Sequence, residues 1–489
     1  MECQNNATRL RREVLIRIAR AFVEGRPGEA VDRIPHDIRP KTDDPMRCCI
    51  YKDRAVLRYR CMAALGFAVE DEADDFTPLA QYTEAALERG RPEGPVMTVL
   101  DVACQGCVKS RHMITDACRG CVARPCAVNC PFDAIRFENG RASIDTAKCV
   151  QCGKCREVCP FHAVTRIPVP CEEACPVGAI KKADGGKAHI DTEKCISCGR
   201  CMRSCPFGAI MEKSQIVDVL RAFRGGRPVV AMIAPAIAGQ FPGDLSQIAE
   251  ALVKAGFARV VEVAHGADET ARREAHEFVE RMERGEPFMT TSCCPAYIEA
   301  VRRHLPELAN RVSDTATPMH YTAEWVRANI PEAVTVFIGP CVAKRVEGMK
   351  DPAVDYVLTF EELGAIFVAK DIDVCLCAGI ETDLLTSAQG RAFAVAGGVA
   401  EAVAATAGDG AKVEPVCISG LSPAAMKTLR GFAKSKCPGN LVEVMACECG
   451  CVSGAGVVGN ARVAQEAVRK WAETGRHIAT IAVPDHATH

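Results

Sequence analysis

Thr291-Ser292-Cys293-Cys294-Pro295, Gly339-Pro340-Cys341-Val342-Ala343-Lys344 and Met445-Ala446-Cys447-Glu448-Cys449-Gly450-Cys451 are three runs, far apart in the chain, whose reading decides how the C-terminal half folds. Each places cysteine after an apolar stretch rich in β-formers: Phe288-Met289, Val334 to Ile338, and Leu441 to Met445. Each therefore reads as the C-terminal end of a buried strand opening into a loop. Ligands gathered from several strand ends make a crevice, the usual cofactor position in open parallel α/β sheets. Thiolates are soft ligands, and four of them suit an iron-sulfur cluster or zinc.

Upstream, residues 101 to 210 carry an internal cysteine repeat. Cys149, Cys152, Cys155 and Cys159 have the spacing C-x2-C-x2-C-x3-C-P, as do Cys195, Cys198, Cys201 and Cys205. Cys118, Cys121, Cys126 and Cys130 form a variant with a longer middle gap, and Cys171-x3-Cys175 is a truncated copy. This is the bacterial ferredoxin run, in which three thiolates wrap one 4Fe-4S cube and the cysteine before proline serves the second cluster of the pair. Zinc needs only four such residues and gives no reason for a repeated Cys-Pro. The crossed rule groups Cys118, Cys121 and Cys126 with Cys159, Cys149, Cys152 and Cys155 with Cys130, and Cys195, Cys198 and Cys201 with Cys175. Cys171 and Cys205 are left over. By arithmetic alone, Cys104 and Cys107 complete a fourth set.

The fold expected is mixed α+β and α/β: a helical N-terminal segment over 1–100, ferredoxin-like modules over 101–212, and a two-lobed α/β unit with parallel sheets over 213–489. Leu10, Val14, Ile18 and Phe22 stand at steps of four, a helical stripe that needs a partner surface. Further helical periodicity is broken by Pro35, Pro40, Pro45 and Pro78. After Arg224-Gly225-Gly226 strands and helices alternate. Val229 to Ala234 and Ala258 to Val263 read as strands, and Ser246 to Ala255 as a helix with Ile248, Leu252 and Val253 inside. On the helix Asp268 to Arg284, Glu274, Glu277 and Arg281 lie along one flank.

The formal charge is -2, from 60 basic and 62 acidic residues, which argues against nucleic acid as the main partner. Thirty cysteines without an apolar leader point to metal in a reducing, cytoplasmic setting rather than to disulfides. No apolar stretch approaches the ~20 residues that cross a bilayer. Cys48, Cys49 and Cys61 make four with Cys3, enough for a metal on count alone, though buried free thiols are the commoner state. Cys375, Cys377, Cys417 and Cys437 lack paired spacing and read as core residues. His265 and His320 read as satisfied core histidines. Cys449, between two ligand positions, reads as a modulating thiol.

The three opening runs resemble the signature segments of the FeFe-hydrogenases. What the resemblance implies is an H-cluster: a 4Fe-4S cubane held by Cys294, Cys341, Cys447 and Cys451, with Cys451 bridging to a di-iron unit that carries CO and cyanide. Cys293 becomes the free thiol beside the open iron, Lys344 pairs with a cyanide, and Met445 packs on the di-iron unit. Glu274, Glu277 and Arg281 resemble the family's proton line, continued inward by Glu347 and Thr317. The implied activity is interconversion of hydrogen with protons and electrons, with ferredoxin or a similar carrier as electron partner and di-iron maturation proteins as assembly partners. The chain departs from the family at Tyr297 (usually Trp), Gly339 (usually Met) and Gly454-Ala455-Gly456-Val457-Val458 (usually Gly-Gly-Gly-Gln-Pro), changes expected in the wall around the di-iron unit. The alternatives are a slow hydrogen- or redox-sensing relative, and a cubane-only assembly scaffold of the Narf type. The scaffold pattern lacks the doubled cysteine, so Cys293 favours the hydrogenase.

Overall fold

The computed structural model describes residues 5–72, 74–108, 111–382, 386–408, 411–434 and 437–481. Two parallel sheets carry the C-terminal half. In the first, the order is Arg259–Glu262, Val229–Ile233, Val334–Gly339 and Tyr356–Thr359. Val229–Ile233 and Val334–Gly339 are buried at every position, as strands covered on both faces must be. In the second sheet Leu441–Met445 is central, with Met289–Thr290 on one side and Pro415–Ser419 on the other. Three of these strands, ending at Thr290, Gly339 and Met445, run directly into the cysteine loops.

The helix Leu245–Ala255 begins at an Asp244–Gln247 capping box and stops at Gly256, whose φ of 118° lies in the left-handed region. Ile248, Leu252 and Ala255 face inward, but Val253 is 41% exposed, against expectation. One residue past Leu252 is a turn of about 100°, which carries Val253 off the buried stripe.

The cysteine-rich stretch forms small antiparallel ladders. Ile135–Glu138 pairs with Arg141–Ile144, Ile180–Lys182 with Ala188–Ile190, and Arg111–Ile114 with Val164–Ile167. Asn139 and Gly140 both have positive φ, the geometry of a tight hairpin turn. Each cysteine before proline accepts a backbone N–H from the alanine four residues on: Ala134 to Cys130, Ala163 to Cys159, Ala179 to Cys175 and Ala209 to Cys205. One loop conformation thus recurs at all four sites.

The N-terminal helices Asn6–Val23, Pro27–Ile38, Ile50–Ala64 and Leu79–Glu88 supply the expected helical segment. Pro35 does not break its helix, which runs on to Ile38 without the one backbone bond that the missing N–H would have made to Val31. Met97–Val99, also in the stretch read as helical, is instead a strand paired with Ile210–Glu212. The Val14, Ile18 and Phe22 stripe shares one core with the helices Phe360–Ala369 and Ile216–Ala222. Charge fixes that junction. Arg11 and Arg12 hold Glu361 at 2.7 and 2.9 Å, and Arg345, 1% exposed, sits between Glu362 and Glu212.

Removing one member of a buried ion set strands the others without a partner. Arg345→Met is expected to destabilise the protein by about 3–5 kcal/mol, read as a lowered apparent unfolding temperature. Arg17→Ala, which breaks the exposed pair with Glu13, should cost less than about 1 kcal/mol. Equal effects would show that the Arg345 set contributes no more than an exposed ion pair.

Candidate functional site

The three cysteine loops meet around one cavity of about 90 Å³, lined almost wholly by apolar surface. Cys293, Cys294, Cys341, Cys447 and Cys451 line it, together with Lys344 and Met445. The loops approach more closely than side chains permit: a Cβ on Gly454 would stand 2.4 Å from the Pro340 carbonyl, and one on Gly450 2.6 Å from the Ala396 nitrogen. Burial pushes the thiols up, Cys341 to about 11 and Cys293 and Cys447 well above their usual value. Such a donor set is costly to ionise without a compensating cation, as a metal site without its metal should be.

Every described cysteine is a free thiol. Among the described residues no three His, Cys, Asp or Glu converge tightly enough for one metal ion. Tetrahedral zinc at about 2.3 Å from each sulfur would draw its thiolates to within about 4 Å of one another. Thiols lining one cavity are soft donors of the kind that hold iron-sulfur clusters.

Lys344, Glu347 and Thr317 form one group at the wall. Lys344 Nζ donates to Glu347 at 2.8 Å and to Thr317 Oγ1 at 3.0 Å, and Thr317 donates to Glu347. Burial would lower the Lys344 pKa, but Glu347 outweighs it and the ammonium is favoured. Two of the three family departures do not line the cavity. Tyr297 lies behind it, its hydroxyl donating to Thr290 at 2.9 Å, and at Gly339 a side chain would collide with the Phe337 ring, which itself faces the cavity. Residues 337 and 339 share a strand face, so Phe337 fills the space Gly339 leaves, a substitution invisible until the strand register is known.

The acid flank of the helix Ala264–Glu283 leads to Cys293. Arg281 binds Glu277 at 2.6 Å and the exposed Asp314 at 3.3 Å. Glu277 accepts from Ser313 at 2.6 Å and Thr315 at 3.0 Å. Ser292, the neighbour of Cys293, donates its N–H and hydroxyl to Glu274 at 2.9 and 3.0 Å. Burial pushes Glu274 up to about 7, whereas hydrogen bonds and Arg281 overcome burial at Glu277 and hold it below the usual carboxylate range. Ser292, Ser313 and Thr315 are links that helix spacing could not reveal, since they come from other segments. Thr317 and Glu347 do not extend this line inward; they sit with Lys344. Both groups border one cleft of about 750 Å³ that also reaches His320 and Asp351.

The ferredoxin-type cysteines gather by fours. Cys126 feels Cys121 and Cys159, while Cys130, Cys149, Cys152 and Cys155 line one small pocket. Cys201 feels Cys195, Cys198 and Cys175. Cys171, pushed up to about 11 by burial, feels Cys205 and Cys107, and Cys104 shares their core. Cys198 also lines the main cavity and acts on Cys447, so the third set adjoins the cavity. Arg203 secures that contact by donating to the Ser453 carbonyl at 2.7 Å.

The remaining candidates disperse. Cys3 lies outside the described residues; Cys48 is exposed, with its sulfur 3.9 Å from that of Cys49, and Cys61 is fully buried in the helical core. Cys377 is buried as expected and Cys437 half-buried, but Cys375 and Cys417 are exposed. Cys449 has a φ of 63°, held by a hydrogen bond from its N–H to Ser419. His265 stacks edge-on against Trp325, and His320 bonds Asp351 at 2.9 Å.

The family model for the iron only hydrogenase large subunit, C-terminal domain, matches residues 227–455, an LdpA Fe-S cluster-binding domain matches 165–216, and a 4Fe-4S binding domain matches 142–165. The chain is 30% identical over 372 residues to the periplasmic Fe hydrogenase large subunit of Nitratidesulfovibrio vulgaris, covering 64% of this chain and 85% of that protein. It is 28% identical over 308 residues to iron hydrogenase 1 of Clostridium pasteurianum, covering 51% of this chain and 53% of that one, about half its length. A FeFe-hydrogenase structure from Chlamydomonas reinhardtii aligns with 52% of this chain and 87% of that chain, at a TM-score of 0.41 and 22% identity. The matched domains are those of 4Fe-4S clusters and of the iron only hydrogenase large subunit. No helix among the described residues is long and apolar enough to cross a membrane.

Glu274 gives a pH test. Its folded pKa of about 7 lies above the ordinary 4.5, so stability present at low pH is lost as pH rises through 7, by about 3 kcal/mol. Glu274→Gln has no such loss. Its apparent unfolding temperature should gain on the parent between pH 5 and pH 8; a gap independent of pH would show that Glu274 does not titrate in this range.

Proposed function

The chain belongs to the iron-only hydrogenase family, and from that premise we propose that it interconverts hydrogen with two protons and two electrons, exchanging the electrons with a ferredoxin-type carrier. The observation that carries this reading is the meeting of Cys293, Lys344 and four further thiols in one apolar cavity, with a buried acid beside Cys293. When bound, the H-cluster supplies the redox site where hydrogen is made or split.

The residues of this chain then divide the work. Cys294, Cys341, Cys447 and Cys451 would hold the cubane, and Cys451 would be the thiolate it has in common with the di-iron unit. Lys344 presents an ammonium to the cavity, suited to an anionic cyanide, and Met445 gives that unit an apolar wall. Cys293 holds a proton at Sγ. Glu274 and Glu277, joined through Ser292, Ser313 and Thr315, carry protons between Cys293 and the Arg281–Asp314 surface. Cys175, Cys195, Cys198 and Cys201, against Cys447, would hold the innermost of four 4Fe-4S clusters, which when bound would supply the electron relay. In this scheme 1–100 is the helical unit, 101–212 the cluster unit and 213–489 the hydrogenase unit. Assembly calls for di-iron maturation proteins, and a reducing cytoplasm would keep the thirty cysteines available to iron.

Five cubanes and a di-iron unit amount to about 22 irons per chain. Cys104→Ser with Cys107→Ser should remove about four, and unchanged iron would show the pair to be structural. Cys293→Ala should keep all of the iron yet lower hydrogen turnover by about two orders of magnitude, the scale of a lost general acid. Cys294→Ala should lose cubane iron. Near-parental turnover by the Cys293 variant would mean that protons reach the site by another route.

A further inference from the structure

The set formed by Cys130, Cys149, Cys152 and Cys155 has a feature the repeat does not require. Two residues after the first cysteine of each run stand Gly120, Gln151 and Ser197. At Gly120 only the backbone can reach Cys118, and it does. At Ser197 the backbone N–H donates to Cys195 at 3.4 Å, assisted by the hydroxyl. At Gln151 the side-chain amide Nε2 donates to Cys149 Sγ at 3.6 Å.

That amide is held from behind. Gln151 Oε1 accepts the backbone N–H of His112 at 2.8 Å and meets His112 Nδ1 at 3.0 Å. A backbone N–H can only donate, so this end of the amide must be the oxygen and the NH₂ end must face the sulfur. The same oxygen requires the His112 proton to sit on Nδ1. His112 is 4% exposed, and its ring lies against Gly153, whose φ is 82°. Gln151 itself has a φ of 63°, the left-handed conformation that Gly120 and Ser197 also adopt at the same place in their runs, so the loop sets the backbone there and the side chain alone distinguishes this set.

We propose that Gln151, clamped by His112, raises the reduction potential of the cluster on Cys130, Cys149, Cys152 and Cys155 and so sets it apart from the other three. The inference rests on the reading that these cysteines hold a 4Fe-4S cluster. Reduction adds one electron and neither makes nor breaks a bond; the added negative charge strengthens an N–H···S hydrogen bond, so the donor favours the reduced form. No change of protonation is needed. Cys152 is exposed, so the tuned cluster is also one that a carrier protein can approach. Gln151 and His112 are thus positioning residues of the electron path.

The test is an EPR-monitored redox titration of the intact, cluster-loaded protein, with the relevant signal identified beforehand through Cys152→Ser. Iron content and a signal altered by Cys152→Ser test the cluster reading on their own; without them that reading fails, whatever Gln151 does. Given them, Gln151→Leu should shift the oxidised-to-reduced ratio of that one cluster by about tenfold toward oxidised at fixed poise, which is 59 mV for one electron. Gln151→Glu should shift it further in the same direction, and His112→Phe, which removes the ring's hold on the amide but keeps the backbone N–H, by less. Unchanged potentials in Gln151→Leu at full iron would overturn the proposal, as would a shift shared by all clusters. Loss of this cluster's iron from both Gln151 variants would also overturn it, since the side chain would then be holding the loop rather than tuning the cluster.

Discussion

Thiols crowded into an apolar cavity can ionise only if something neutralises them, and the C-terminal half is arranged around that constraint. Three parallel strands from two sheets deliver five cysteines to one cavity, and burial raises every one of the five thiols. A bound cluster resolves the conflict, because its iron takes the thiolates as ligands. The glycines at 450 and 454 allow the loops to close on one another, and the sheets behind hold them at fixed separation. The same logic recurs in the ferredoxin-type region, where the alanine N–H after each Cys-Pro meets the sulfur.

Charge buried elsewhere is disposed differently. Arg345 and Lys344 are neighbours in sequence, yet Arg345 faces Glu362 and Glu212 at the junction with the N-terminal helices while Lys344 faces the cavity. The helix Ala343–Lys350 therefore joins the cavity wall to the rest of the molecule. An error in the Arg345 set would therefore reach Lys344 through one helix.

Much of this was legible in the sequence because its signals are local. A cysteine run with fixed spacing, a β-rich stretch ending in a cysteine loop, and a helix stripe such as Val14, Ile18 and Phe22 each depend on a few adjacent residues. What escaped depends on contacts between distant segments. The partner of the N-terminal stripe, the seating of Phe337 in the space left by Gly339, and the Ser313 and Thr315 links to Glu277 all require the tertiary register. Val253 was misplaced because an apolar residue one step off a buried stripe looks the same in sequence as one on it. The exposed Cys375 and Cys417 show that residue type alone does not determine burial.

Hydrogen turnover at this cavity requires an H-cluster rather than a cubane alone. Infrared spectroscopy of the protein matured with the di-iron machinery tests this most directly, because bound CO and cyanide have stretching bands well separated from those of the polypeptide. The account predicts both sets of bands in the parent protein. A protein fully loaded with cubane iron but showing neither would contradict it.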